Sequence, residues 1–152
     1  MKALSVKQPW ASLLVGGAKS IEVRTWSTSH RGPMVICASA NPNNVFWKDA
    51  DAGTLRLMHS GCIIGIVDLL ECRPMVKADE DAAWCDLVPG AYSWVTEPIC
   101  YCEPDPIKGA LHLYDVRDSA LVRFEESDDL WIYDFLPPQG EIKFTARCPV
   151  LE

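Results

Sequence analysis

The densest polar constellation in this 152-residue chain is Lys19-Ser20-Ile21-Glu22-Val23-Arg24-Thr25-Trp26, which sets a lysine, a glutamate, an arginine and a tryptophan within eight residues. In an extended strand Glu22 and Arg24 share one face, roughly 6.5–7 Å apart by strand rise. At that spacing they pair with each other or converge on one ligand. A carboxylate accepts amino protons from a base edge, a guanidinium donates as a fork, and an indole offers a stacking plane, so the set suits a nucleobase. The same three charged residues, Lys19, Glu22 and Arg24, are the candidate catalytic groups. Lys19 would act as a base if burial disfavoured its charge, with Glu22 positioning water. Together with Arg24 and His30 they would stabilise a phosphate and move protons, although His30 among Ser29, Arg31 and Gly32 reads as a solvated loop residue. The plainer alternative is a surface Glu22–Arg24 ion pair worth about 0 to 1 kcal/mol, with Trp26 as support.

Charge narrows the ligand. The chain carries a formal −7, which argues against a general phosphate-driven nucleic-acid binder. The imbalance is uneven, however: residues 1–31 hold Lys2, Lys7, Lys19, Arg24 and Arg31 against Glu22, a net +4, so the other 121 residues total −11. An anionic ligand should meet the N-terminal part. Hydrophobic residues at 49% and charged residues at 23% exclude a disordered chain. The run from Cys62 to Leu70 is far short of the roughly 20 apolar residues of a membrane span, so no membrane contact is expected. The N-terminal residues lack the apolar stretch of an export signal, and an odd count of seven cysteines does not read as a secreted disulfide framework. A cytoplasmic address follows as the expectation. No Cys-x2-Cys pair occurs, Cys100-Tyr101-Cys102 is too tight for a zinc hairpin, and neither metal nor cofactor is expected. Nucleotide cradles of the G-x-G-x-x-G or G-x-x-x-x-G-K-[ST] type are absent.

The elements that must position these residues are short. Ala3–Val6 reads as a strand, and Pro9 opens a helix through Trp10, Leu13 and Leu14 that Gly16-Gly17 ends. From Ser20 the pattern turns to period two, a half-buried strand with Ile21 and Val23 inside and Glu22 and Arg24 on a polar face. Pro33–Ser39 and Cys62–Leu70 read as central strands. A helix is expected over Asp51–His59, with Leu55 and Met58 at helical spacing. Ala91–Thr96, Ile99–Cys102 and Ala110–Val116 supply three more strands, with Pro98 and Pro104-Asp105-Pro106 as breaks. Ile142–Arg147 would be a last one. About six to eight short strands with one or two helices and no regular βαβ alternation predict a mixed α/β, mainly β fold, a small barrel or rolled sheet.

Three blocks of sequence resemble the ASCH family, a PUA-like class. The first is Leu4-Ser5-Val6-Lys7-Gln8-Pro9-Trp10-Ala11 followed by Gly17, Lys19, Glu22, Arg24 and Trp26 in the pattern G-x-K-x-x-E-x-R-x-W. The second is Arg31-Gly32-Pro33 leading into Ile36-Cys37-Ala38-Ser39, and the third is Tyr92-Ser93-Trp94 with Pro106-Ile107-Lys108-Gly109. The resemblance implies a PUA-like β-barrel over residues 1–117, with residues 118–152 a C-terminal extension packed on the same domain. It implies a cleft lined by Ser5, Gln8, Trp10, Lys19, Glu22, Arg24, Arg31, Ser93 and Trp94, and RNA or a nucleoside or nucleotide as the ligand. Some small relatives resemble amidohydrolases of N4-acylated cytidine that use K-T-x-T-x-R. Here Glu22 stands at the nucleophile position, where a carboxylate does not replace a hydroxyl, so recognition is the first expectation. Hydrolysis of RNA or of a modified cytidine is the alternative. A third possibility is a protein-interaction adaptor in transcription or translation, with the acidic run Glu125-Glu126-Ser127-Asp128-Asp129 meeting a basic partner.

Overall fold

The structure is a computed structural model and describes residues 1–41, 59–118, 121 and the backbone of 123–124. The expected helix at Asp51–His59, the acidic run and the segments Trp131–Phe135 and Ile142–Arg147 fall largely or wholly outside the described residues.

Strand β1 (Lys2–Val6) leads into helix α1 (Trp10–Val15), then β2 (Ile21–Arg24) and β3 (Gly32–Ala38). β1 and β3 pair in parallel, Leu4 against Ile36. A parallel pair needs a crossover, and α1 with β2 supplies it, which lays the helix on one face of the sheet. Alternation along the two strands sends Leu4, Val6, Met34 and Ile36 to the face under α1, where Trp10, Leu13, Leu14 and Trp94 complete the main core. Ala3, Val35 and Cys37 face the other way, into a smaller cluster with Ile63, Ile66 and Cys102. Each fully buried Leu, Ile or Val contributes about 1.5–3 kcal/mol relative to exposure. Two buried faces explain why β3 and the first half of the next strand read as continuous β-branched runs.

That strand, β4 (Cys62–Pro74), extends past the expected Leu70, because Glu71 to Pro74 still pair with β5. β5 (Tyr92–Pro106) merges the two strands expected at Ala91–Thr96 and Ile99–Cys102. Pro98 does not break it. The ladder shifts register between Ile66 and Val67, and Pro98 sits opposite Val67 at that irregularity, where a missing N–H is tolerated. Between β4 and β5 lie a 3-10 turn (Lys77–Asp79) and a short helix α2 (Glu80–Ala83), neither legible beforehand. Only Tyr114–Asp115 (β6) of the expected Ala110–Val116 strand pairs, with β1, and β7 (Arg123–Phe124) pairs with β5.

The strand order is β2-β5-β4-β3-β1-β6, with β7 beside β5. Among the described residues no ladder joins the two ends of this path. The sheet nevertheless curls far enough for Arg24 of β2 to donate from Nη2 to the carbonyl of Ser5 in β1, 2.8 Å away, across three intervening strands. The half-buried strand expected at Ser20–Trp26 is corrected by this curl. All four residues of β2 are buried, Ile21 and Val23 against Met75, Ala83 and Ala91, Glu22 and Arg24 toward the interior.

Candidate functional site: a buried Lys-Glu-Arg chain

The structure brings Lys19, Glu22 and Arg24 together as one chain of charge. Lys19 follows α1, whose end holds it by a backbone bond from Lys19 N to the Leu13 carbonyl. Its Nζ lies 3.4 Å from Glu22 Oε2, and Glu22 Oε1 lies 3.1 Å from Arg24 Nη2. The three are 0%, 5% and 3% exposed. Burial on that scale costs several kcal/mol per ion unless each charge is paired and hydrogen-bonded. Lys19 meets that demand by also donating to the carbonyls of Ile21 and Ala83, the latter at 2.8 Å. With Nζ bonded to two carbonyls and 3.4 Å from a carboxylate, Lys19 is enclosed by its own partners, so the geometry gives no support to a lysine base. Two atoms of this trio lack a hydrogen-bond partner among the described residues: Glu22 Oε2, which keeps only its 3.4 Å ion pair with Lys19, and Arg24 Nε.

The other expected cleft residues divide. Trp94 stands directly across from Glu22 in the β2–β5 ladder, fully buried, and its Nε1 donates to the Trp26 carbonyl at 3.2 Å. Trp26 packs edge-on to Trp94, with ring centroids 4.7 Å apart, and lies 5.0 Å from the His112 ring. Trp10 is buried in the main core. Gln8 caps α1: its Oε1 accepts from Ser12 N at 3.1 Å, and its Nε2 donates to Ser12 Oγ and to the His59 carbonyl. Arg31 is exposed and donates to the carbonyls of Thr28 and His30 in its own loop and of Cys72 in β4. His30 keeps to the same loop, its Nε2 3.2 Å from the Pro33 carbonyl.

Ser93 belongs to a second polar centre that sequence reasoning missed. Its Oγ donates to Asp79 Oδ2 at 2.7 Å, Arg73 grips both Asp79 oxygens at 2.7 and 2.8 Å, and Val76 N adds a fourth bond. The Arg73 hydrogen bond, with the Val76 and Ser93 bonds, holds the Asp79 carboxyl well below the usual carboxylate range against the opposing effect of burial. This centre fastens the 3-10 turn and α2 to β4 and β5. Ser20 N to the Ala82 carbonyl, Trp84 Nε1 to the Ala18 carbonyl and Lys19 Nζ to Ala83 then fasten α2 to the start of β2. Nothing in the spacing of Arg73, Asp79 and Ser93 announces the triad, because the three lie on separate elements.

Ser5 lines an open cleft, of about 390 Å3, on the face of β1 away from α1. Its Oγ shares a 3.0 Å hydrogen bond with Tyr114 Oη. Burial raises both the Tyr114 phenol and the neighbouring Cys37 thiol above their ordinary values, so Cys37 is not an activated nucleophile. Among the described residues no group of three His, Cys, Asp or Glu side chains is placed to hold a metal ion, and no helix is long and apolar enough to cross a membrane.

Known proteins resemble this arrangement in sequence. Activating signal cointegrator 1 of Homo sapiens is 42% identical over 80 residues, 45% of this chain and 14% of that protein. The Mus musculus protein of the same name is 42% identical over 91 residues, 51% of this chain and 15% of that protein. The chain thus spans about a seventh of the length of these relatives. The ASCH domain matches residues 4–106, which run from within β1 to the end of β5 and include the whole Lys19–Glu22–Arg24 chain, and this protein belongs to the ASCH domain family.

Proposed function

We propose that this chain recognises RNA or a nucleotide and reads a base edge at the Glu22–Arg24 pair. The observation that carries the proposal is that two buried atoms, Glu22 Oε2 and Arg24 Nε, lack a hydrogen-bond partner among the described residues. An unsatisfied buried polar atom costs about 1–3 kcal/mol, and two on adjacent side chains call for a missing partner. One is an acceptor and the other a donor, the complement of a base edge that offers both. Trp26, packed edge-on to the Trp94 that stands across from Glu22, and His112 against it supply aromatic planes. At 5% and 3% exposure the pair is reached only if a neighbour moves. Trp26 lies outside every strand and helix and is half-buried, and we assign the movement to it. The barrel expected for a PUA-like domain is part of the same proposal, with Arg24 reaching Ser5 where the curled sheet returns to β1. Since Lys19 is engaged on all sides, recognition is proposed ahead of hydrolysis.

The test is titration of the four ribonucleosides and short single-stranded RNAs, read by tryptophan emission. A saturable change with at least one of them, weakened about tenfold or more in Arg24→Lys, which keeps the charge and removes Nε, is the expected result. If no nucleoside and no RNA perturbs the emission or binds by calorimetry, the proposal is wrong. The likeness to proteins named Activating signal cointegrator 1 supports a second reading, an adaptor role in transcription. It predicts capture of a basic partner that is lost on deleting residues 125–152, with nucleosides without effect.

A further inference from the structure

The cleft on the far face of β1 has the composition of an anion site. At about 390 Å3 it falls within the roughly 300–1,000 Å3 of small-ligand pockets. Lys7 and Lys108 stand on its walls with Ser5, Ser39 and Asn41, and among the described residues no carboxylate lines it. In a chain with 21 acidic and 14 basic side chains, that selection gives the cleft a local charge opposite to the protein's own. Among the described residues neither lysine takes part in an ion pair or a side-chain hydrogen bond, whereas Lys2, Lys19, Arg24 and Arg73 are all paired.

The walls are pre-set by backbone bonds. Ser39 N donates to the Val6 carbonyl and Gly61 N to that of Ala38, both at 2.8 Å, and Ile107 N donates to that of Gly61 at 2.9 Å. These bonds tie the carboxyl ends of parallel β1 and β3 to the segment that carries Lys108. Gly109 closes that segment directly on β1: a Cβ there would stand 2.4 Å from Ser5 Oγ. Tyr114 holds the Ser5 hydroxyl in place from behind. At the rim, Leu111 is 75% exposed and offers an apolar surface beside the cations.

We infer that this cleft is a binding site for a phosphate group, with the two ammonium groups flanking the oxyanion and the Ser5 and Ser39 hydroxyls donating to its oxygens. The apolar rim receives the rest of a nucleotide-sized ester. The site lies on the opposite face of β1 from the Glu22–Arg24 pair and does not depend on base reading there. The shared chemistry has two sources, a free mononucleotide or the backbone of an RNA strand.

The experiment is 15N-resolved NMR titration of the full chain with pyrophosphate, uridine monophosphate, uridine and a short oligouridylate. Saturable shifts of the Ser39 and Gly109 amides by pyrophosphate are expected, and their affinity falls about tenfold or more in a Lys7→Ala, Lys108→Ala double variant whose melting temperature matches the parent. Equal affinity for the monophosphate and the oligomer assigns a mononucleotide. Much tighter oligomer binding, with a salt slope reduced by about 1.4 in the double variant, assigns an RNA backbone. No shift with any phosphate compound, or unchanged affinity in the double variant, overturns the inference. Shifts by uridine confined to Trp26 and its neighbours, with none at Gly109 from any phosphate compound, would also overturn it while leaving the base-reading proposal standing.

Discussion

Replacing Lys19 by methionine keeps most of the side-chain volume and removes the ammonium from a site with no access to water. Two carbonyls, of Ile21 and Ala83, lose their donor and the Glu22 carboxylate loses its ion-pair partner at once. Breaking one partner out of a buried ion pair costs about 3–5 kcal/mol, because the remaining charge stays buried. Against a total stability of roughly 5–15 kcal/mol, that is a large share. For a chain of this size it lowers the melting temperature by about 6–20 °C. Urea unfolding monitored by circular dichroism measures the loss, and Glu22→Gln supplies the second arm of a double-mutant cycle. If Lys19 chiefly compensates Glu22, its removal from the Glu22→Gln background costs at least about 1 kcal/mol less than from the parent. A Lys19→Met loss below about 1 kcal/mol, or costs that add within about 0.5 kcal/mol, would refute the claim that the chain of charge holds this corner of the fold together.

Two further consequences concern stability. Asp79→Asn should cost about 1–3 kcal/mol at neutral pH, since it weakens a fourfold-bonded, buried carboxylate gripped by a partly exposed arginine. Because the folded carboxyl titrates below its unfolded value, its contribution is complete above the unfolded carboxylate pKa of about 3.9 and is lost as pH falls below it. Acid melts of the parent should therefore drop more steeply than those of Asp79→Asn below about pH 4, and parallel curves would count against the account. Gly65→Ala should destabilise by about 1–3 kcal/mol in denaturant titration, because its Cβ would meet Val15 Cγ1 at 2.3 Å and the Cys100 carbonyl at 2.9 Å; a neutral effect would mean α1 is packed more loosely on β4 than described.

Much of this was legible in the residues. The strands β1, β3 and the first part of β4, and helix α1, announce themselves by β-branched runs, by Pro9 and by Gly16-Gly17, since those local preferences agree with the packing. The motif G-x-K-x-x-E-x-R-x-W lies inside the ASCH domain match over residues 4–106. What period-two patterning does not carry is whether the outward face of a strand meets water. Glu22 and Arg24 look solvated in one dimension and are buried because the sheet curls until β2 approaches β1, a contact between strands that four steps of strand order keep apart in the ladder. The Arg73–Asp79–Ser93 centre was invisible for a related reason: its members are distant in spacing and meet only through the β4–β5 pairing. Sequence alone determined which charges lie close along the chain. Only the tertiary structure decided which of them are spent on one another, and that Lys7 and Lys108, more than a hundred positions apart, line one cleft with no ion-pair partner among the described residues, because burial and pairing are properties of the packed surface and not of the chain.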